Sequence, residues 1–170
     1  MNLLVNAGLA YKVYHTSARG LPLGAQIDIK KFKVLILDSG IYQRISGLNL
    51  SEFIASDSQM LINRVHFAEL LAGLELIKSS SPNAHPELYY WHREAKSSNA
   101  EVDFIVQGKS GIVPIEVKAG TKGQMQSLFI FLDERNLAAG IRLSAENFAR
   151  YDKIVTVPLY AASRIRTMLP

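Results

Sequence analysis

An α/β domain, with a mixed sheet flanked by helices, is the fold class this sequence predicts, on three observations. Strand-like runs at Tyr11–His15, Ile27–Leu37, Leu88–Arg93, Ala139–Leu143 and Ile154–Pro158 are interspersed with two helical stretches, about Gln59–Lys78 and Gln124–Arg135. Ser98–Gly120 reads as two short strands joined by a tight turn at Gln107-Gly-Lys-Ser-Gly111. Finally, 48% hydrophobic and 20% charged residues over a 170-residue chain is globular composition, with length enough for one core.

Composition also excludes some chemistry. There is no cysteine, so disulfides and thiolate metal sites are ruled out. The first residues lack the basic-then-apolar layout of a signal peptide. No apolar run approaches the roughly 20 residues that span a bilayer. A cytoplasmic protein with no membrane partner is therefore expected. The net charge of +4 permits a polyanionic partner without requiring one. Basic residues are dispersed apart from Lys30-Lys31-Phe32-Lys33 and Arg164/Arg166.

Met1–Ala10 reads as the end of a helix closed by Gly8, an abrupt start expected of a fragment of a longer chain. The two strands that follow, joined through Gly20-Leu-Pro-Leu-Gly24, read either as the wing of a winged-helix module or as an edge hairpin. The apolar run from Val34 breaks at Asp38-Ser-Gly40, where Asp38 is placed to cap a short helix stopped by Gly47. Asp57 or Ser58 is placed to cap the long helix, which is apolar almost all round and so is expected to be buried. Glu69 interrupts its stripe of Ile62, Val65, Ala72 and Leu76. A carboxylate there is either a paired structural acid or a group that reaches a cleft.

A loop with two prolines, Ser79–Glu87, leads to the aromatic strand, whose Tyr89, Tyr90 and Trp91 suit the core. Arg93 suits either a phosphate or the plain surface. In the later helix Met125, Leu128, Phe129, Phe131 and Leu132 form the packing stripe, with Lys122 and Gln124 at its start as possible phosphate donors. Tyr160–Met168 closes the chain as a short helix.

The chemistry concentrates in the Ser98–Gly120 hairpin. Alternation puts Glu101 and Asp103 on one face of its first strand, and Glu116 and Lys118 on one face of its second. Pairing the strands brings Asp103, Glu116 and Lys118 to one end. Such a cluster is either a salt-bridged strand end or a site. Carboxylates suit a hard divalent cation such as Mg2+, and a lysine beside them can orient an attacking water or offset charge on a phosphate. Gly108-Lys109-Ser110 is not a P-loop tail, because Asp103 stands where that motif needs its first glycine.

A helix with Glu69, a strand with Asp103, a Glu116-Val-Lys118 strand and a helix opening near Gln124 follow one another in this chain. That order resembles the PD-(D/E)XK nuclease core, the restriction-endonuclease-like fold, with Val102 where its signature has proline. A closer resemblance rests on five segments in order: Phe32-Lys-Val-Leu-Ile-Leu-Asp-Ser-Gly40, His66-Phe-Ala-Glu69, Tyr90-Trp-His-Arg93, Ala100-Glu-Val-Asp-Phe104 and Pro114-Ile-Glu-Val-Lys-Ala-Gly120. Together they resemble the C-terminal domain of unknown function of bacterial and archaeal AAA-type ATPases.

That resemblance implies a partial winged-helix segment at 1–37, a nuclease-like domain at 38–170, and an ATPase domain elsewhere in the same longer chain. It implies Glu69, Asp103 and Glu116 as ligands of Mg2+ or Mn2+, Lys118 as the lysine that positions water, and Gln124 beside the scissile phosphate of DNA or RNA. Two functions follow as expectations: metal-dependent phosphodiester hydrolysis, or non-catalytic binding of nucleic acid or protein in service of the linked ATPase.

Overall fold

Period-two alternation of apolar side chains builds one eight-stranded mixed sheet. The computed structural model describes residues 1–47, 61–81, 83, 86–93, 99–108, 111–120 and 123–168. A short helix α1 (Asn2–Asn6) leads through Gly8, at φ +70°, into β1 (Ala10–Thr16). A 3-10 turn precedes β2 (Ile27–Ile36), and helix α2 (Ser39–Ile45) follows it. Then come α3 (Leu61–Lys78), β3 (Tyr89–His92), β4 (Glu101–Gly108), β5 (Gly111–Val117) and α4 (Gln126–Glu134). The chain ends with β6 (Gly140–Ser144), β7 (Ala149–Tyr151), β8 (Ile154–Pro158), a 3-10 turn and α5 (Ile165–Met168).

The spatial order is β2-β1-β3-β4-β5-β6-β8-β7. Strands β3, β4 and β5 are antiparallel neighbours, whereas β5, β6 and β8 run parallel. The N-terminal hairpin belongs to this same sheet, because β1 pairs with β3 in parallel. Among the described residues no helix is long and apolar enough to cross a membrane.

Two cores cover the two faces. Leu70, Leu74 and Leu76 of α3 pack on Leu35, Phe104, Val106, Ile115 and Val117. Leu128, Phe131 and Leu132 of α4 pack on Trp91, Val102 and Ile105 from the other side. Gly73 lets α3 approach the sheet: a Cβ there would stand 2.6 Å from Leu35 Cδ1 and 2.8 Å from Phe104 Cζ. The all-round burial expected of α3 is corrected in one respect. Val65 and Leu71 are 38% and 42% exposed, because the helix lies on only one sheet face and its outer side meets solvent.

Asp38 caps α2, its Oδ1 accepting the Ile41 N–H at 2.8 Å. The expected caps Asp57 and Ser58, and the Lys109-Ser110 turn, lie outside the described residues, as does Lys122.

Candidate active site

The geometry of the hairpin end is set by one extra residue. Tyr89 pairs with Ile105 and Trp91 with Val102, so Asp103 and Phe104 together face Tyr90. This β-bulge breaks the alternation of β4. Val102 and Ile105 consequently both enter the α4-side core, while Phe104 joins the α3-side core. On its other edge β4 pairs with β5 only as far as Phe104 and Ile115. Beyond that rung the strands fork. Asp103 fills the fork, its Oδ2 accepting the Val117 N–H at 2.7 Å in place of a ladder partner.

Two sets of side chains meet at this carboxylate. From the α3 side comes Lys33 of β2, whose Nζ lies 2.7 Å from Glu69 Oε1, 2.6 Å from Glu101 Oε1 and 3.9 Å from Asp103 Oδ1. The same ammonium lies 5.1 Å from the centroid of the Tyr90 ring. Lys33, Glu69, Glu101, His66 and Tyr42 line an open cavity of about 300 Å³. From β5, Glu116 and Lys118 alternate with Ile115 and Val117 and so leave the strand toward the α4 side. Lys118 Nζ donates to Glu116 Oε1 at 2.8 Å. Glu116 is 6% exposed, and its Oε2 is buried with no hydrogen-bond partner among the described residues.

The electrostatics match this crowding. Burial, then the charges of Glu116 and Glu69, push the Asp103 carboxyl up to about 8, against the pull of Lys33 and the Val117 N–H. Burial raises Glu116 as well, with Lys118 opposing it. Burial disfavours the Lys33 ammonium, but Glu69, Asp103 and Glu101 outweigh it and hold its pKa above the usual lysine value. Burial first, and the neighbouring acids second, thus favour the protonated Asp103 carboxyl.

The fold therefore brings Asp103, Glu116 and Lys118 to one strand end and sets Glu69 across Lys33 from Asp103. Gln124 stands two residues ahead of α4, exposed, beside Gly123. A Cβ on Gly123, which has φ +151°, would lie 2.9 Å from Lys118 Cδ, so this loop rests on the lysine stem. Arg93 is committed to Glu134, with Nε at 2.7 Å from its Oε1.

Sequence reasoning missed Lys33 as a site residue and left Glu101 without a role. The signal for Lys33 was its place two residues before the buried Leu35, which turns both to one face of β2. The donor set, carboxylates with one orphaned buried oxygen, suits a hard divalent cation better than a soft one. As the side chains stand, no three His, Asp or Glu residues among the described residues are grouped so as to hold a metal ion. The Lys33 ammonium lies between Glu69, Glu101 and Asp103 instead.

No curated protein and no solved structure matches the chain. The family described as Domain of unknown function (DUF4143) matches residues 66–161, a span that contains Glu69, Asp103, Glu116, Lys118 and Gln124. Because that span is more than half of the chain, the chain belongs to this family.

Proposed function

We propose that the domain is a divalent-metal-dependent nuclease of restriction-endonuclease-like fold that hydrolyses phosphodiester bonds in DNA or RNA, in service of an ATPase domain of the same longer chain. One observation carries the reading. Asp103 at the strand fork, Glu116 near enough for its charge to act on Asp103, and Lys118 bound to Glu116 form a partly buried acid–acid–lysine group in which one Glu116 oxygen has no hydrogen-bond partner among the described residues. Orphaned buried carboxylate oxygen is costly unless something positive meets it.

In this reading Glu69, Asp103 and Glu116 hold Mg2+ or Mn2+. The bound cation supplies acidity to the attacking water and positive charge against the phosphate. Lys118, fixed 2.8 Å from Glu116, orients that water and offsets charge growing on the phosphate oxygens. Gln124, exposed at the approach to α4, donates to the phosphate from the side. Asp103 acts ionised, so its ligation displaces the proton that crowding holds there.

The test is supercoiled plasmid and a labelled RNA incubated with Mg2+ or Mn2+ and the wild type, Asp103→Ala or Lys118→Ala. Cleavage by the wild type alone is expected. Equal cleavage by all three proteins, or by none, overturns the reading.

A second reading is favoured by Lys33, which already pairs with Glu69 and Glu101. In it the domain binds nucleic acid or a protein for the linked ATPase without cutting. Salt-dependent binding to DNA or RNA that survives loss of Asp103 and Glu116 would mark that case.

A further inference from the structure

We infer that Lys33 is the resident cation of the fork, a tethered ammonium standing where a divalent metal stands in the working site, so that metal entry requires Lys33 to leave Glu69, Glu101 and Asp103. The inference rests on the nuclease reading for the identity of the metal. It adds a gate that neither the acid–lysine pattern nor the family assigns.

Three observations support it. Lys33 is within 2.7 Å of two separate carboxylates and 3.9 Å of a third, a coordination closer to that of an ion than of a surface pair. It arrives from β2, an edge strand outside the matched residues 66–161, so it is not one of the acid–lysine group itself. Its stem stands against the open cavity lined by Leu35, Tyr42 and His66, which gives the side chain somewhere to go. Glu101, which alternation placed beside Asp103, is then a holder of that cation in the resting state.

Charge accounting makes the exchange reasonable. Glu69, Glu101 and Asp103 present three carboxyls to one ammonium, which leaves surplus acid around it. A divalent ion neutralises more of that surplus than a lysine does. A single positive charge at ion-pair distance weighs heavily against a second cation in a partly buried site. Removing it should raise metal affinity by tenfold or more.

The experiment measures Mn2+ binding to the metal-free protein by the loss of the free-ion electron paramagnetic resonance signal. Wild type, Lys33→Met and Lys33→Arg are compared, with circular dichroism melts of each. Lys33→Met should bind Mn2+ about tenfold or more tightly, and should gain more melting temperature from Mn2+ than the wild type does. Lys33→Arg keeps the charge and should bind like the wild type. Unchanged or weaker binding by Lys33→Met overturns the inference, as does an absence of Mn2+ binding in all three. If Lys33→Met does not fold without metal, Glu101→Gln replaces it. That variant loosens the ammonium and should bind Mn2+ severalfold more tightly, with equal or weaker binding again overturning the inference. Plasmid cleavage by the wild type is scored separately. Tighter Mn2+ binding by the variant without cleavage by any protein sustains the gate and overturns the nuclease reading alone.

Discussion

The two lysines at the fork meet carboxylates in opposite ways. Among the described residues Lys118 pairs with Glu116, two positions back at the end of β5, and leaves that residue's second oxygen unmatched. Lys33 crosses from another strand and is shared among three acids. The first arrangement is local and follows from a spacing of two residues along β5. The second depends on strands and a helix far apart in the chain. Substituting Lys118 should therefore affect chemistry more than folding, whereas substituting Lys33 should affect both.

The largest effect expected on the Lys118 side is catalytic. If the nuclease reading holds, Lys118→Ala and Asp103→Ala should each lower metal-dependent cleavage by at least about a hundredfold, measured on supercoiled plasmid, since that reading gives one the water and the other the metal. Retention of native near-ultraviolet circular dichroism by Lys118→Ala would separate that loss from unfolding.

On the Lys33 side the support is packing. Gly73→Ala should destabilise the domain by about 1–3 kcal/mol in urea melts, because the new methyl meets Leu35 and Phe104 at 2.6 and 2.8 Å and pushes out the helix that carries Glu69. A neutral outcome would mean that α3 can shift without cost, which weakens the view of Glu69 as rigidly held.

The shared acid gives a prediction in pH. The Asp103 carboxyl binds its proton more tightly in the folded chain, at about 8, than its ordinary value of 3.8. Its contribution to stability is therefore complete below about 3.8 and drains away as pH rises through about 8, since the folded state holds more protons in that window. In EDTA the melting temperature should fall between about pH 5 and 8, the upper part of that window, and Asp103→Asn should flatten the fall. An unchanged slope in Asp103→Asn would show that another group sets it.

The smallest effect belongs to the surface. Arg93 and Glu134, about a third exposed, pair at 2.7 Å, and Glu134→Gln should cost no more than about 1 kcal/mol, less at high salt. A larger loss would make that pair part of the scaffold behind β3.

Much of this was legible in the chain. Alternation predicted the hairpin and its acids, helical spacing singled out Glu69, and Asp38 was readable as a cap. The position of Asp103 in the fork was not. Simple alternation would turn it away from Phe104 and toward the face of Ile105, and only the pairing of β3 with β4 reveals the bulge. Lys33 was read as part of a basic run, because its partners lie at long range, on α3 and β4. Strand β7 was missed: Ala149-Arg150-Tyr151 is too short to alternate visibly and is held as an edge by β8 alone.

The bulge means that the count of residues, as well as their kind, writes this site. Deleting either Asp103 or Phe104 would restore ordinary alternation, with Val102 and Ile105 still on one face and a single residue left opposite Tyr90 to serve both fork and core. Two neighbouring residues are thus bound to a single rung, one plugging the fork and one sealing the core. A chain one residue shorter here could keep every acid and lysine and still have no carboxylate in the gap.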